Sequence, residues 1–176
     1  MTAARITGDR IGLRWKATGI AALASAWALA VSGCASYGPG GLQPGATAAQ
    51  VRQAMGEPTL ILAAPGGARW VYARGPFGRH TWMVDLDAAG RLRTWHQALG
   101  EAQFTTLLPG MTEAEVIFAF GPPAQRKARG LRPGELWSWR YPTNDCLWFQ
   151  AEFEQGRVVG GGGYATDPVC DVPTRE

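Results

Sequence analysis

Few residues in this 176-residue chain are equipped for chemistry. There are two histidines, His80 and His96, and three cysteines, Cys34, Cys146 and Cys170. Neither histidine has a Ser or Cys nearby in a nucleophile motif: His80 follows Arg79 in an expected turn, and His96 stands beside Trp95 at a strand end. Two carboxylate pairs, Asp85/Asp87 and Glu152/Glu154, have the residue types for acid and base work. A spacing of two on an alternating strand puts each pair on one strand face, and such a face is more often the solvated side of a sheet. The glycine run 160–163 lacks the Lys-Ser/Thr of a phosphate loop, and no helical pattern follows to aim amide dipoles at an anion. It reads as a strand end or a bulge. These observations predict no catalytic residue, metal or cofactor, and a protein that is not an enzyme.

The elements that position these residues begin after a leader. Arg5, Arg10, Arg14 and Lys16 precede an uncharged, Ala-rich stretch, "ATGIAALASAWALAV", too short and too weakly apolar for a comfortable membrane span. Residues 1–33 therefore read as a signal peptide. The stretch closes on "VSGC", which resembles the bacterial lipobox, and that resemblance makes Cys34 the acylated first residue of the mature chain. Several acyl chains hold a protein firmly at a membrane where one would not. The sequence has 17 Lys+Arg against 14 Asp+Glu; the leader accounts for four of the bases and one acid, leaving 13 of each. The mature chain is formally neutral, which removes the electrostatic case for nucleic-acid binding.

With Cys34 acylated, Cys146 and Cys170 remain, and in an oxidising compartment an even count reads as a disulfide. A fold back at Pro168 brings the two within reach. The alternatives are free thiols or a metal pair, and His80 and His96, far upstream, make a poor zinc set with them.

Residues 34–41 are a Gly/Pro-rich tether, after which the chain writes one segment twice. "LQPGATAAQVRQAMGEP" begins at Leu42 and "LLPGMTEAEVIFAFGPP" at Leu107. Thr47 with Gln50, and Thr112 with Glu115, have the spacing of a capping box, and Gly56 and Gly121 stand where a helix stops. Alternating aromatic runs follow each segment: "RWVYAR" and "HTWMVDLD" in the first, "LWSWRY" and "CLWFQAEFE" in the second. Each repeat ends on a turn, "AAGRL" or "QGRVV", and a last strand. The fold expected is α+β, with two tandem units at 42–98 and 99–176, each a short helical element on a small antiparallel sheet.

In their order, spacing and repetition these motifs resemble the SmpA/OmlA (BamE-like) domain of bacterial outer-membrane lipoproteins. The resemblance implies an outer-membrane lipoprotein facing the periplasm and serving as scaffold or accessory subunit of an envelope complex. In that family the complex is the machinery that assembles β-barrel proteins into the outer membrane. Ala35 after the lipobox cysteine fits outer-membrane retention. BamE itself carries one copy, whereas two tandem copies resemble β-lactamase inhibitor proteins. That architecture implies an alternative, a periplasmic inhibitor or regulator that grips an enzyme through a concave sheet surface.

No small-molecule substrate is expected, so the search for a site turns to surfaces. Trp70, Tyr72, Trp82, Trp137, Trp139 and Trp148 lie on predicted strands and are candidates for a protein interface, since Trp and Tyr most often anchor one; at least half are equally expected in the core. A second candidate is the loop carrying Arg126, Lys127, Arg129 and Arg132. Beside an anionic membrane each base contributes about 1 kcal/mol to docking; the alternative is a solvated loop offset by acids elsewhere.

Overall fold

A helix of two turns is unstable alone, so both its ends and one face must be held by something else. In a computed structural model describing residues 38–171, each repeat opens on such a helix: α1 at Ala48–Met55 and, after the short α2 at Glu101–Phe104, α3 at Glu113–Phe120. Thr47 and Thr112 cap them. The hydroxyl of Thr112 accepts from the amide of Glu115, and Glu115 accepts from the Thr112 amide at 2.7 Å. Thr47 and Gln50 make the same box. These bonds from Thr112 hold the Glu115 carboxyl below its ordinary range. Thr112→Ala should cost about 1 kcal/mol of stability, read as a lower midpoint in urea with an unchanged slope.

The strands form two four-stranded antiparallel sheets in meander order. Sheet 1 holds β1 (Leu60–Ala64), β2 (Gly67–Arg74), β3 (His80–Asp87) and β4 (Leu92–Gln97). Sheet 2 holds β5 (Gln125–Ala128), β6 (Glu135–Arg140), β7 (Leu147–Glu154) and β8 (Arg157–Thr166). The described residues are thus mostly β, with only short helices. The short helical element expected in each repeat is α1 alone in the first, while the second has α3 and the single turn α2. His80, expected in a turn, is the first residue of β3.

Alternation decides which side chains meet each helix. Trp70, Tyr72, Val84 and Leu86 line one face of sheet 1 and pack on Val51 and Met55 of α1. Trp137, Trp139, Phe149 and Phe153 line the matching face of sheet 2, under Val116 and Phe120 of α3. Phe104 of α2 stacks on Phe149 with ring centroids 4.0 Å apart.

The Gly-x-Thr segment has a second duty in both repeats. It is bonded to the last hairpin turn by the same set of contacts each time. Gly45 donates its amide to Leu92 (2.7 Å), Leu92 donates to Ala46 (2.8 Å), and Ala48 donates to Gly90 (2.9 Å). In the second repeat Gly110 donates to Val158 (2.9 Å), Val158 to Met111 (2.8 Å) and Glu113 to Gly156 (3.1 Å). Arg91 and Arg157 complete the pattern by donating to the carbonyls of Gly45 and Gly110. The two glycines have φ of +91° and +86°, which favours glycine at this bend.

The repeats are joined through α3. The face of sheet 1 turned away from α1 carries Val71, Thr81 and Met83, and the C-terminal end of α3 rests there. A Cβ on Gly121 would lie 2.9 Å from Thr81 Cγ2 and 3.1 Å from Val71 Cγ1. Arg69 reaches across from the same face to donate to the Phe118 carbonyl (3.0 Å) and to cover the Phe118 ring. α3 therefore contacts both sheets, and sheet 1 has helix against each of its faces.

Candidate functional site

Most groups that looked available for chemistry or contact are used by the fold. Asp85 is opposite Arg69 in the β2–β3 ladder and takes two hydrogen bonds from its guanidinium, at 2.6 and 2.8 Å. Asp87 accepts the amides of Ala89 and Arg91 and shapes the hairpin turn. Both Glu152 and Glu154 pair with Arg129, at 2.8 and 2.7 Å. Glu152 and Glu154 keep the solvated face expected of them, 44% and 38% exposed beside Arg129; the expectation is corrected for Asp85, which is 19% exposed and drawn into its pair with Arg69. His96 lies on β4 with its pKa pushed down, first by burial and then by the Arg69 charge, while Asp85 opposes the shift. Among the described residues no three His, Cys, Asp or Glu side chains gather as a metal set.

The aromatic candidates are interior. Tyr72, Trp137 and Trp139 are at most 1% exposed, and Trp70 and Trp148 are also buried. Only Trp82 is partly open, and it meets the more exposed Trp95 edge-on at 5.5 Å. Five of the six proposed interface residues are thus core residues, and Trp82 alone stays partly open. For Trp70, Tyr72, Trp137 and Trp139 the physical reason is that each lies on the sheet face its helix covers. Two of their polar ends serve the helix stops: Trp139 Nε1 donates to the Gly121 carbonyl at 3.1 Å, and the Tyr72 hydroxyl to the Gly56 carbonyl at 3.2 Å. Burial pushes the Tyr72 hydroxyl up to about 12, against the lowering charges of Arg74 and Arg52.

Trp148 is the exception in direction. It lies on the other face of sheet 2, where Arg140 is stacked between it and Phe77, 5.2 and 4.0 Å from the two rings. Arg140 donates to both carboxylate oxygens of Asp167, one at 2.8 Å. The Cys146–Cys170 disulfide closes the same corner, with Cα atoms 6.0 Å apart. From the first repeat, Arg79 donates to the carbonyls of Tyr141 and Thr143. The Arg140 guanidinium is the main reason the Asp167 carboxyl is held below its ordinary range; burial opposes the shift. A depressed carboxylate contributes stability above its unfolded pKa of about 3.9, and the contribution is lost as pH falls through the folded value. Acid titration of the melting temperature should show this loss below about pH 4. Asp167→Asn should melt lower at neutral pH and vary less with acid; an unchanged acid profile would remove Asp167 from the account.

The basic loop is divided by the strand pleat. Arg126 lies over the Trp137 ring at 3.7 Å and meets Glu113 at 3.6 Å. Arg129 turns inward to its two glutamates. Lys127 and Arg132 remain exposed, beside Leu136 and Glu152, around an open cavity of about 530 Å³. Two of the four bases are thus committed to ion pairs, and the cluster is not a uniform positive patch. Cys34 and the leader fall outside the described residues. No helix among the described residues is long and apolar enough to cross a membrane.

Two features were missed from the sequence. Arg69, Arg79 and Arg140 join the repeats and the C-terminal corner, and only strand register reveals them. The other is the asymmetry of the sheets: sheet 1 has helix against both faces, whereas sheet 2 turns a face carrying Lys127, Leu136, Gln150, Glu152 and Val159 away from α3.

No protein-family model matches the chain, and no curated protein matches it. Solved structures resemble it at low similarity. A "putative beta-lactamase inhibitor protein" of Streptococcus mutans is 13% identical, with 73% of this chain and 87% of that chain covered, at a TM-score of 0.32. An extracellular protein containing an SCP domain, from Bacillus anthracis, is also 13% identical at a TM-score of 0.27; the match covers 71% of this chain but 44% of that one. A DUF4309 family protein of Bacillus subtilis is 10% identical, covering 68% and 78% of the two chains at a TM-score of 0.27. At these values the likeness assigns no activity and no partner.

Proposed function

We propose that this chain is a non-catalytic lipoprotein, held at the outer membrane through Cys34 and facing the periplasm, that scaffolds an envelope complex by binding a protein partner. The β-barrel assembly machinery is the complex its BamE-like motifs imply. The observation that carries the binding reading is the asymmetry of the two sheets. Sheet 1 has an α-helix packed on both faces. Among the described residues the outer face of sheet 2 carries only the short 3-10 turn Pro76–Gly78 at its Arg140–Trp148 corner, and the rest mixes charge, amide and aliphatic groups as interface surfaces do. The engagement of Asp85, Asp87, Glu152 and Glu154 in ion pairs and turns supports a role without catalysis. The exposed Lys127 and Arg132 stand on the same side and suit an acidic rim on the partner.

The test is affinity capture of the tagged full-length protein from detergent-solubilised envelopes. Recovery of a large β-barrel protein with its associated subunits is the expected result. Lys127→Glu with Val159→Asp should reduce that recovery about tenfold, roughly 1.4 kcal/mol, without changing the melting temperature. A soluble hydrolase as sole partner would overturn the scaffold and favour the inhibitor reading. Cys34→Ala should move the protein from the membrane to the soluble fraction, and unchanged membrane retention would refute the lipid tether.

A further inference from the structure

An edge strand leaves one row of backbone N–H and C=O groups unpaired, and proteins ordinarily blunt such edges by charge, shortness or cover. The four edges here are treated unequally. β5 is four residues long and carries Arg126 and Lys127. β1 is five residues long and ends at Pro65. β4 carries Arg93, and its start is closed by Gly45 and Ala46. β8 is ten residues long and bears no charge from Val158 to Thr166. Among the described residues only its start is covered, where Val158 exchanges bonds with Gly110 and Met111.

The glycines of β8 divide into two kinds. Gly160 has φ +74°, and a Cβ on Gly162 would strike the Phe149 ring at 2.0 Å; with Gly161 they form the bulge opposite Ala151. Gly161 and Gly163 are different. Neither has a positive φ, and a Cβ on either would meet nothing within 4 Å. Internal packing and backbone conformation leave their lack of side chain unexplained, while close approach of another backbone would explain it. Tyr164, 48% exposed, stands in the same stretch.

We propose that the free edge of β8, residues 159–166, pairs with the same edge of a second molecule of this chain, antiparallel across a twofold axis. The chemistry of the edge selects an extended strand as occupant, because unpaired amides and carbonyls in register are what such a strand satisfies. Its lack of charge selects the same strand. A twofold interface sets each patch against its own copy, so a charged edge would meet like charge, and this edge carries none. The bulge bends the start of the stretch, so the pairing centres on residues 163–166, which hold regular register with Leu147, Trp148, Phe149 and Gln150 of β7.

The experiment introduces one cysteine at a time, Gly163→Cys or Ala165→Cys, into the full chain in its own membranes. Treatment with a bis-maleimide is followed by a reducing denaturing gel. A covalent species of twice the chain mass is expected from at least one of these variants, and none from Gln125→Cys on the opposite edge. Adding Gly163→Lys to the Ala165→Cys variant, a position inside the paired stretch with room for a side chain, should cut the dimer yield about tenfold or more by bringing two like charges to the seam. The circular dichroism spectrum of that variant should match the parent, so that loss of pairing is told apart from loss of fold. No dimer from either β8 variant, an equal yield from Gln125→Cys, or an adduct of another mass would overturn the proposal. None of these outcomes depends on which envelope protein the chain binds.

Discussion

Trp139→Ala should lower the unfolding free energy by about 3–5 kcal/mol. The side chain is 1% exposed and packs between Phe120 and Phe149. Its removal opens a cavity beneath α3 and leaves the Gly121 carbonyl without the indole N–H. Trp139→Phe keeps a ring in the cavity and should recover most of that loss, with about 1 kcal/mol remaining for the missing hydrogen bond. Urea denaturation of the full-length protein measures both. The pair of variants also separates core from interface. A tryptophan serving a partner would leave the stability of the isolated protein nearly unchanged, and that result would reverse the assignment made here.

Replacing Gly121 by Ala should be nearly as damaging, at roughly 2–5 kcal/mol. Two independent effects combine. The backbone has φ +76° with ψ −175°, a region that side-chain-bearing residues rarely enter. The added methyl also presses on Thr81 and Val71 of the other repeat. Gly110→Ala isolates the first effect, because its φ is +86° and a Cβ there meets nothing within 4 Å. Thermal melts of the two variants should therefore differ, with Gly121→Ala the lower. Equal melts would mean that α3 is not pressed against sheet 1.

The repeated elements were legible because each is specified locally. Thr112 and Glu115 state a helix start in four residues, and "RWVYAR" states a strand by alternation. The Cys146–Cys170 pairing followed from counting. Gly121 was legible as a stop, but its ψ is extended rather than left-handed helical, because the chain must turn directly into Pro122. What local pattern does not contain is which sheet face meets which helix. Trp137 and Trp148 are equally aromatic in sequence, yet one lies under α3 and the other under Arg140 and Phe77. The ion pairs were hidden for the same reason. Arg69 and Asp85 are 16 positions apart and become neighbours only through hairpin register. The joining of the two repeats through Phe118 and Gly121 has no short-range signature at all.

The clasp between each Gly-x-Thr segment and its closing hairpin also dictates an order of events during synthesis. It ties Gly45 to Arg91 and Gly110 to Arg157, 46 and 47 positions away, so neither repeat can close before nearly all of it has emerged. Such distant pairings slow folding, since the loop must be ordered before the contact rewards it. When the first repeat does close, Val71 and Met83 remain wet, because α3 belongs to chain that follows. The half-finished molecule therefore exposes an apolar sheet face until the second repeat arrives, which is the kind of aggregation-prone intermediate on which chaperones act.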